Sequence, residues 1–254
     1  MTSGLPIRPP RLLWFAVVLA AFLFTASGRA QSQVPSLLAA APGVRVPQTL
    51  AARVDTLQIR PVSVNHAALA GPMLDIELTS GRVVRAELDR RETHRDGSEA
   101  WAGHVAGEPM SSVTLVTRNG ILQGAVRTLD GAYSIEPAAG GPGHVVRLVD
   151  ADATGQDLEP LAPPPAALAD PADDVPPMAG DDGSTFDVLV LYTAAARTAA
   201  GSDLAVQTRI ALGVSETNTA YANSGIAPRL RLVGAEFTSY TEAGNLQVDL
   251  ERFQ

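Results

Sequence analysis

Four histidines, His66, His94, His104 and His144, stand in a chain of 254 residues that has no cysteine. Imidazole is the commonest transition-metal ligand, and a metal-binding run shows in sequence as ligands a helical turn or a short loop apart. These four are scattered singly, and no His-Glu-x-x-His run occurs. They are expected to be exposed or hydrogen-bonded loop residues. Serine chemistry has no better footing, since there is no Gly-x-Ser-x-Gly elbow and no His or Asp is tied by spacing to a particular Ser. The paired carboxylates Asp173-Asp174 and Asp181-Asp182 lie in an acidic, Pro-rich stretch. There solvent and mutual repulsion explain them; an acid and base pair would need burial to split its pKa values. Asp96-Gly97 and the run Asp152 to Gly155 read as single acid-glycine turns. Glu216, Asn218 and Asn223, on a long helical run, could orient a substrate or hold a calcium ion, but a solvated helix face accounts for them more simply. No catalytic, cofactor-binding or metal-binding residue is assigned.

The elements that would carry any site fall into two blocks. From Val62 to Val149 short runs alternate in polarity: "MLDIEL" sets Leu74, Ile76 and Leu78 on one side and Met73, Asp75 and Glu77 on the other. Turn signals separate the runs, among them Ser80-Gly81, Asn119-Gly120, Asp130-Gly131 and Gly140 to Gly143, where Gly, Asn and Asp tolerate positive φ. This spacing reads as an antiparallel β domain, a sandwich or an open, curled sheet. Residues 150–183 carry many Pro and Asp and no basic residue. Such a segment is expected to be an extended, solvated linker, because it buries too little apolar surface to offset its chain entropy. After it, "FDVLVLYT" reads as a buried strand and "PRLRLVGAEF" as another. Between them Val206, Ile210, Val214, Thr217 and Tyr221 recur at helical spacing, with Ser202 as N-cap and Gly225 at C′. Strand, helix and strand make a βαβ unit with parallel strands. The last residues place Leu246, Leu250 and Phe253 on one helix face, an apolar stripe that needs a sheet to lie on.

The amino terminus reads as a secretory leader: Arg8 and Arg11, an apolar run from Leu12 to Phe24, then Gly28-Arg29-Ala30. The run is short for a membrane span, so no stable anchor is expected, and the chain is placed as secreted or periplasmic. A formal net charge of −8 argues against nucleic acid as a partner, since no basic surface could release counterions from phosphates. Without cysteine there is no disulfide framework, and the fold must rest on its core.

Four segments, "FDVLVLYTAAARTAAG", "ALGVSETNTAYANSGI", "PRLRLVGAEFTSYTEAGN" and "LQVDLERF", resemble the opening of the catalytic domain in bacterial zinc metalloendopeptidases of the reprolysin-like metzincin group, peptidyl-Asp type. Upstream, the stretch from Trp101 to Asp150 is similar to the β-rich prodomain of those precursors. Trp101, Gly103, Gly107, Gly120, Gly124, Tyr133, Ile135, Pro137 and His144 carry that pattern. Residues 31–61, Ala- and Pro-interrupted without sustained period, read as a weakly ordered lead-in, and the resemblance implies a secreted zymogen around it: a leader (1–30), a β prodomain (62–150), a cleavable acidic linker (151–183) and the start of a metalloprotease-like domain (184–254). It implies zinc for the complete enzyme, protein or peptide substrates, and a prodomain that partners its catalytic domain. The His-Glu-x-x-His-x-x-Gly-x-x-His helix of that group has no counterpart in this sequence, so the chain is expected to be an inactive precursor fragment. The overall class is expected to be α+β: a β-rich antiparallel prodomain, then the incomplete start of an α/β catalytic domain. Two rival readings stand beside it, a secreted non-enzymatic β module that binds or inhibits a protease, and a secreted structural protein.

Overall fold

The computed structural model describes Met1 and residues 34–79, 81–138, 143–153 and 184–252. The leader beyond Met1, the greater part of the acidic segment and Phe253 lie outside the described residues. Nine strands form one sheet: β1 (Leu38–Ala40), β2 (Thr56–Val64), β3 (Met73–Thr79), β4 (Arg82–Thr93), β5 (Glu99–Val105), β6 (Glu108–Arg118), β7 (Ile121–Thr128), β8 (Gly131–Pro137) and β9 (His144–Val149). Their order is β1-β2-β9-β8-β7-β6-β5-β4-β3, every pair antiparallel. A short helix α1 (Gln48–Ala51) precedes β2, and a 3-10 turn, His66–Ala70, follows it.

The sheet curls until its two edge strands meet. Ser36 bridges Asp75 in parallel; the Leu37 amide donates to the Asp75 carbonyl at 2.8 Å and the Asp75 amide to the Pro35 carbonyl at 2.9 Å. Farther along the seam the Arg60 guanidinium donates to the Glu77 carbonyl. The result is a nearly closed barrel, which leaves little unpaired strand edge. Its inward side chains are those the alternation selects: Leu74, Ile76, Leu78, Trp101, Val113, Leu115, Leu122, Ile135 and Val146 are all at most 2% exposed. Large aliphatic groups fill the interior, so the barrel centre is a packed core.

Local chemistry explains the tight places. At the Arg118↔Ile121 hairpin, Asn119 and Gly120 both have positive φ (47° and 80°), the two-residue turn whose twist matches the strands. Gly103 sits where a Cβ would lie 2.0 Å from the Glu87 carbonyl oxygen and 2.8 Å from the Trp101 ring. Backbone cannot yield there as a side-chain tip can. Gly103→Ala is therefore expected to lower stability by about 1–3 kcal/mol, read as a lower urea midpoint with an unchanged m-value.

Downstream come β10 (Thr185–Tyr192), α2 (Ala194–Ala200), α3 (Asp203–Asn223), β11 (Arg229–Phe237) and α4 (Leu246–Glu251). β10 and β11 pair in parallel, as the strand-helix-strand pattern requires. Ser202 caps α3 by accepting from the Ala205 amide at 3.1 Å. The far end closes on Gly225 (φ 69°), with Ile226 N bonded to the Tyr221 carbonyl at 2.9 Å and Gly225 N to Ala222 at 3.2 Å.

The expected α+β class, with an α/β catalytic domain opening at residue 184, is corrected by this architecture. The described chain is mostly β and is dominated by the nine-stranded barrel. Two physical facts make the difference. Closure depends on Ser36 and β1, which with the first part of β2 lie in the 31–61 stretch upstream of the alternating runs. In addition, α3 covers β11 and also lies against the outer wall of the barrel, so the strand-helix-strand segment shares a core with the β region.

Candidate functional site

The feature the fold builds most elaborately is the contact between α3 and the barrel wall formed by β4 to β7. Pleating turns Trp101, Gly103 and Val105 inward and Ala100 and Ala102 outward, yet Ala100 and Ala102 are only 3% and 2% exposed. Ala100 and Val116 of the wall pack with Ala211, Leu212 and Val214 of α3 and Leu232 of β11 in a second core. Small residues on the helix allow this approach: Ala205, Thr208, Ala211, Ser215 and Thr219 are buried.

Polar groups surround that apolar patch and bond across it. Arg118 Nη1 donates to Asp96 Oδ2 at 3.1 Å and to Gln207 Oε1 on α3 at 2.9 Å. Gln207 Nε2 in turn reaches Tyr192 Oη and the Ala235 carbonyl, each at 3.2 Å, so one side chain joins the barrel to β10 and β11. Gln123 Nε2 donates to the Ala205 carbonyl at 3.4 Å, and Arg90 Nη2 to Thr219 Oγ1 at 3.2 Å. Arg127 pairs with Glu216 at 3.3 Å.

A serine, a histidine and a carboxylate also touch here. His94 Nε2 lies 2.9 Å from Ser215 Oγ, and the Ser215 hydroxyl donates to Glu92 Oε2 at 3.3 Å. With its proton on Glu92, the serine oxygen accepts from the imidazole, the reverse of what a general base would need. Ser215 is also 0% exposed. The trio is a fastening between the β4–β5 turn and α3, and it leaves no nucleophile free.

The other histidines are spent separately. His66 Nδ1 is 3.2 Å from Thr117 Oγ1, His104 sits on the outer wall 3.0 Å from Asp89, and buried His144 accepts from the Leu122 amide at 3.0 Å. Among the described residues no group of three or more His, Cys, Asp or Glu could hold a metal ion, so these residues do not fit a zinc centre. Of the helix polar residues, Asn218 brackets the start of β11, donating to the Leu230 carbonyl at 2.9 Å and accepting from its amide at 2.8 Å. Glu216 and Asn223 line a groove of about 450 Å3 between α3 and β6. The three do not converge on a calcium site.

Beneath α3 the outer face of β8 and β9 carries buried charge. Arg147, 2% exposed, donates from Nε (3.0 Å) and Nη2 (2.9 Å) to Glu136 Oε1, and from Nη1 to Asp55 Oδ1 at 3.2 Å and Thr56 Oγ1 at 2.9 Å. Arg53 holds Asp55 from the other side at 2.8 Å. Burial pushes the Glu136 carboxyl up, but Arg147 and the Ser134 hydroxyl more than offset it, leaving it below the usual carboxylate range. Asp96 is likewise depressed: burial raises it, and its bonds from Ser98 with the charge of Arg118 outweigh that. Both carboxyls titrate lower when folded than unfolded. Their contribution is therefore fully present above the unfolded value and is lost as pH falls through the folded one. Urea midpoints are expected to drop steadily from about pH 5 downward, with a shallower slope in Glu136→Gln.

Residues 46–150 match the family model described as a BamI lipocalin-like domain, which agrees with the barrel. Over 225 residues, 81% of this chain, the sequence is 32% identical to a peptidyl-Asp metalloendopeptidase of Stenotrophomonas maltophilia strain K279a. The chain is similar to metalloendopeptidases. A protein of the same name from Xanthomonas campestris pv. campestris is 30% identical over 221 residues, 78% of this chain. The chain spans about half the length of these relatives, 52% and 50%. A solved chain from a chaperone-substrate complex aligns at a TM-score of 0.34 and 14% identity, over 41% of this chain and 90% of that one; at that score the likeness carries no argument.

Proposed function

We propose that the lipocalin-like barrel is a non-catalytic holding module for a metalloendopeptidase-type segment that starts at residue 184, and that the chain is the precursor part of such a protease. The observation that carries this reading is the shared core and hydrogen-bonded rim between the barrel wall and α3. A barrel with its own full interior has no structural need of a helix on its outside. The helix, by contrast, gains burial on two faces, and its strands gain a support.

Two further facts fit. Leu189 (56% exposed) and Leu191 (46%) stand open on β10, and Phe186 and Phe237 are similarly exposed, an apolar surface that suits more protein in a longer relative. The similarity to metalloendopeptidases spans both halves of the chain. In this reading the full protein is a secreted zymogen that hydrolyses peptide bonds with zinc held by residues outside this chain. The barrel keeps the protease segment folded and covered by its own contact with α3, in addition to the acidic segment that joins them.

The test uses residues 34–153, which contain all nine barrel strands. Titrated against an active metalloendopeptidase of the Stenotrophomonas type, they are expected to slow cleavage of a peptide substrate at micromolar concentration. Full activity at that concentration would count against a holding role. The second reading, a β module that inhibits proteases from outside, is favoured by the completeness of the barrel; it requires the same fragment to inhibit enzymes unrelated to this sequence.

A further inference from the structure

Between the outer faces of β7, β8 and β9 and the middle of α3 lies a cavity of about 390 Å3. Its volume is at the lower end of small-ligand sites, which run from about 300 to 1,000 Å3. Three arginines, Arg127, Arg147 and Arg209, face two glutamates, Glu136 and Glu216, leaving one positive charge in excess. Two of the arginines are engaged, Arg147 with Glu136 and Asp55, Arg127 with Glu216. Arg209 is exposed on α3 and makes no direct hydrogen bond or salt bridge among the described residues, though its charge acts on Glu136 across the cavity.

Glu136 is the counterpart. Its side chain is nine-tenths buried, at 10% exposure. The bonds it receives from Ser134 Oγ (2.8 Å), Arg147 Nε and Arg147 Nη2 all end on Oε1. Oε2 receives none among the described residues, although Glu136 lines the cavity. Oε2 is open to the cavity, where a carboxylate lone pair can accept from a donor placed there. The site thus offers an open acceptor at one wall and, at another, a guanidinium that attracts it without bonding to it. Water could meet either need, but a ligand with a cationic and an anionic end meets both and leaves the ion pairs beside it intact.

The geometry points to a binding site for a short acidic peptide, its α-ammonium donating to Glu136 Oε2 and a carboxylate held by Arg209. A dipeptide with one acidic side chain carries one ammonium and two carboxylates, and its net charge cancels the excess of the cavity. A guanidinium binds a carboxylate through two parallel bonds, which gives orientation as well as attraction. The site lies where α3 meets the barrel, and it stands independently of the protease reading: failure of the barrel to inhibit an enzyme would leave it untouched.

Titration calorimetry on the full chain tests it, with glycyl-glutamate, N-acetyl-glycyl-glutamate and inorganic phosphate as probes. Saturable binding of glycyl-glutamate is expected, weakened about tenfold or more by Arg209→Ala, and weakened comparably by acetylation of the ammonium. Glu136→Gln should weaken the free dipeptide and leave the acetylated one unchanged. Arg209 is exposed and outside the buried ion pairs, so its alanine variant remains a test even if Glu136→Gln unfolds. The proposal is overturned if no saturable heat appears below roughly 10 mM. It is equally overturned if Arg209→Ala binds as the parent does, or if phosphate and the acetylated peptide match the free dipeptide, since an anion site alone would then suffice.

Discussion

Replacing Arg147 with alanine is expected to destabilise the protein by about 3–5 kcal/mol, enough to unfold many domains of this size. The side chain has 3% of its surface exposed and makes four bonds to three residues, Glu136 of β8, Thr56 of β2 and Asp55 just before β2. Removing it leaves Glu136 as a buried charge without its bonded cation, attracted only by Arg209 across the cavity, and takes one of two cations from Asp55. The cost comes mainly from that stranded charge. Accordingly, Arg147→Met combined with Glu136→Gln should recover most of the loss, because neither remaining group is then ionised and unpaired. Urea denaturation of Arg147→Met, Glu136→Gln and their double gives the coupling directly. A single Arg147→Ala that costs under about 1 kcal/mol would show that the network is solvated and contributes little.

The second large effect concerns the helix. Leu212 is 7% exposed and packs in the core shared by α3, β11 and the barrel wall. Leu212→Asp places a carboxylate there without a partner, at a cost of about 3 kcal/mol or more. The loss should be local. Amides of α3 and β11 are expected to lose most of their exchange protection, while the barrel, whose interior cluster contains no α3 residue, keeps its own. Equal loss of protection in β5 to β8 would mean that barrel and helix unfold as one unit.

These effects mark what the sequence makes legible and what it hides. The alternation in "MLDIEL", the Asn119-Gly120 turn, the Ser202 cap and the parallel pairing of β10 with β11 follow from period and local chemistry, and the structure has them. Barrel closure was out of reach, because it rests on a one-residue bridge at Ser36 in a stretch without sustained period. In the stripe of Val206, Ile210, Val214, Thr217 and Tyr221, Ile210 and Val214 pack with Leu230 and Leu232 of β11. The other buried face of α3 is made of Thr208, Ala211, Ser215 and Thr219, residues that carry almost no hydropathy signal and are buried because they are small. Arg147 reads as the outward member of an alternating strand, and it does point outward. Burial comes from Glu136 and Asp55, partners 11 and 92 positions away in sequence, which periodicity cannot reveal. The absence of a catalytic motif is a statement about these residues, and the contact surface that replaces it as the candidate site has no motif to find.

In the proposed role the barrel wall holds α3 by contact as well as by covalent connection. A recognition site for a specific protease, inserted in the acidic segment and cleaved to completion, leaves the barrel and residues 184–252 as separate chains. Size exclusion at micromolar concentration then decides the matter. The two chains are expected to elute together, and to separate when Leu212→Asp is present; separation of the unsubstituted pair would contradict the holding role.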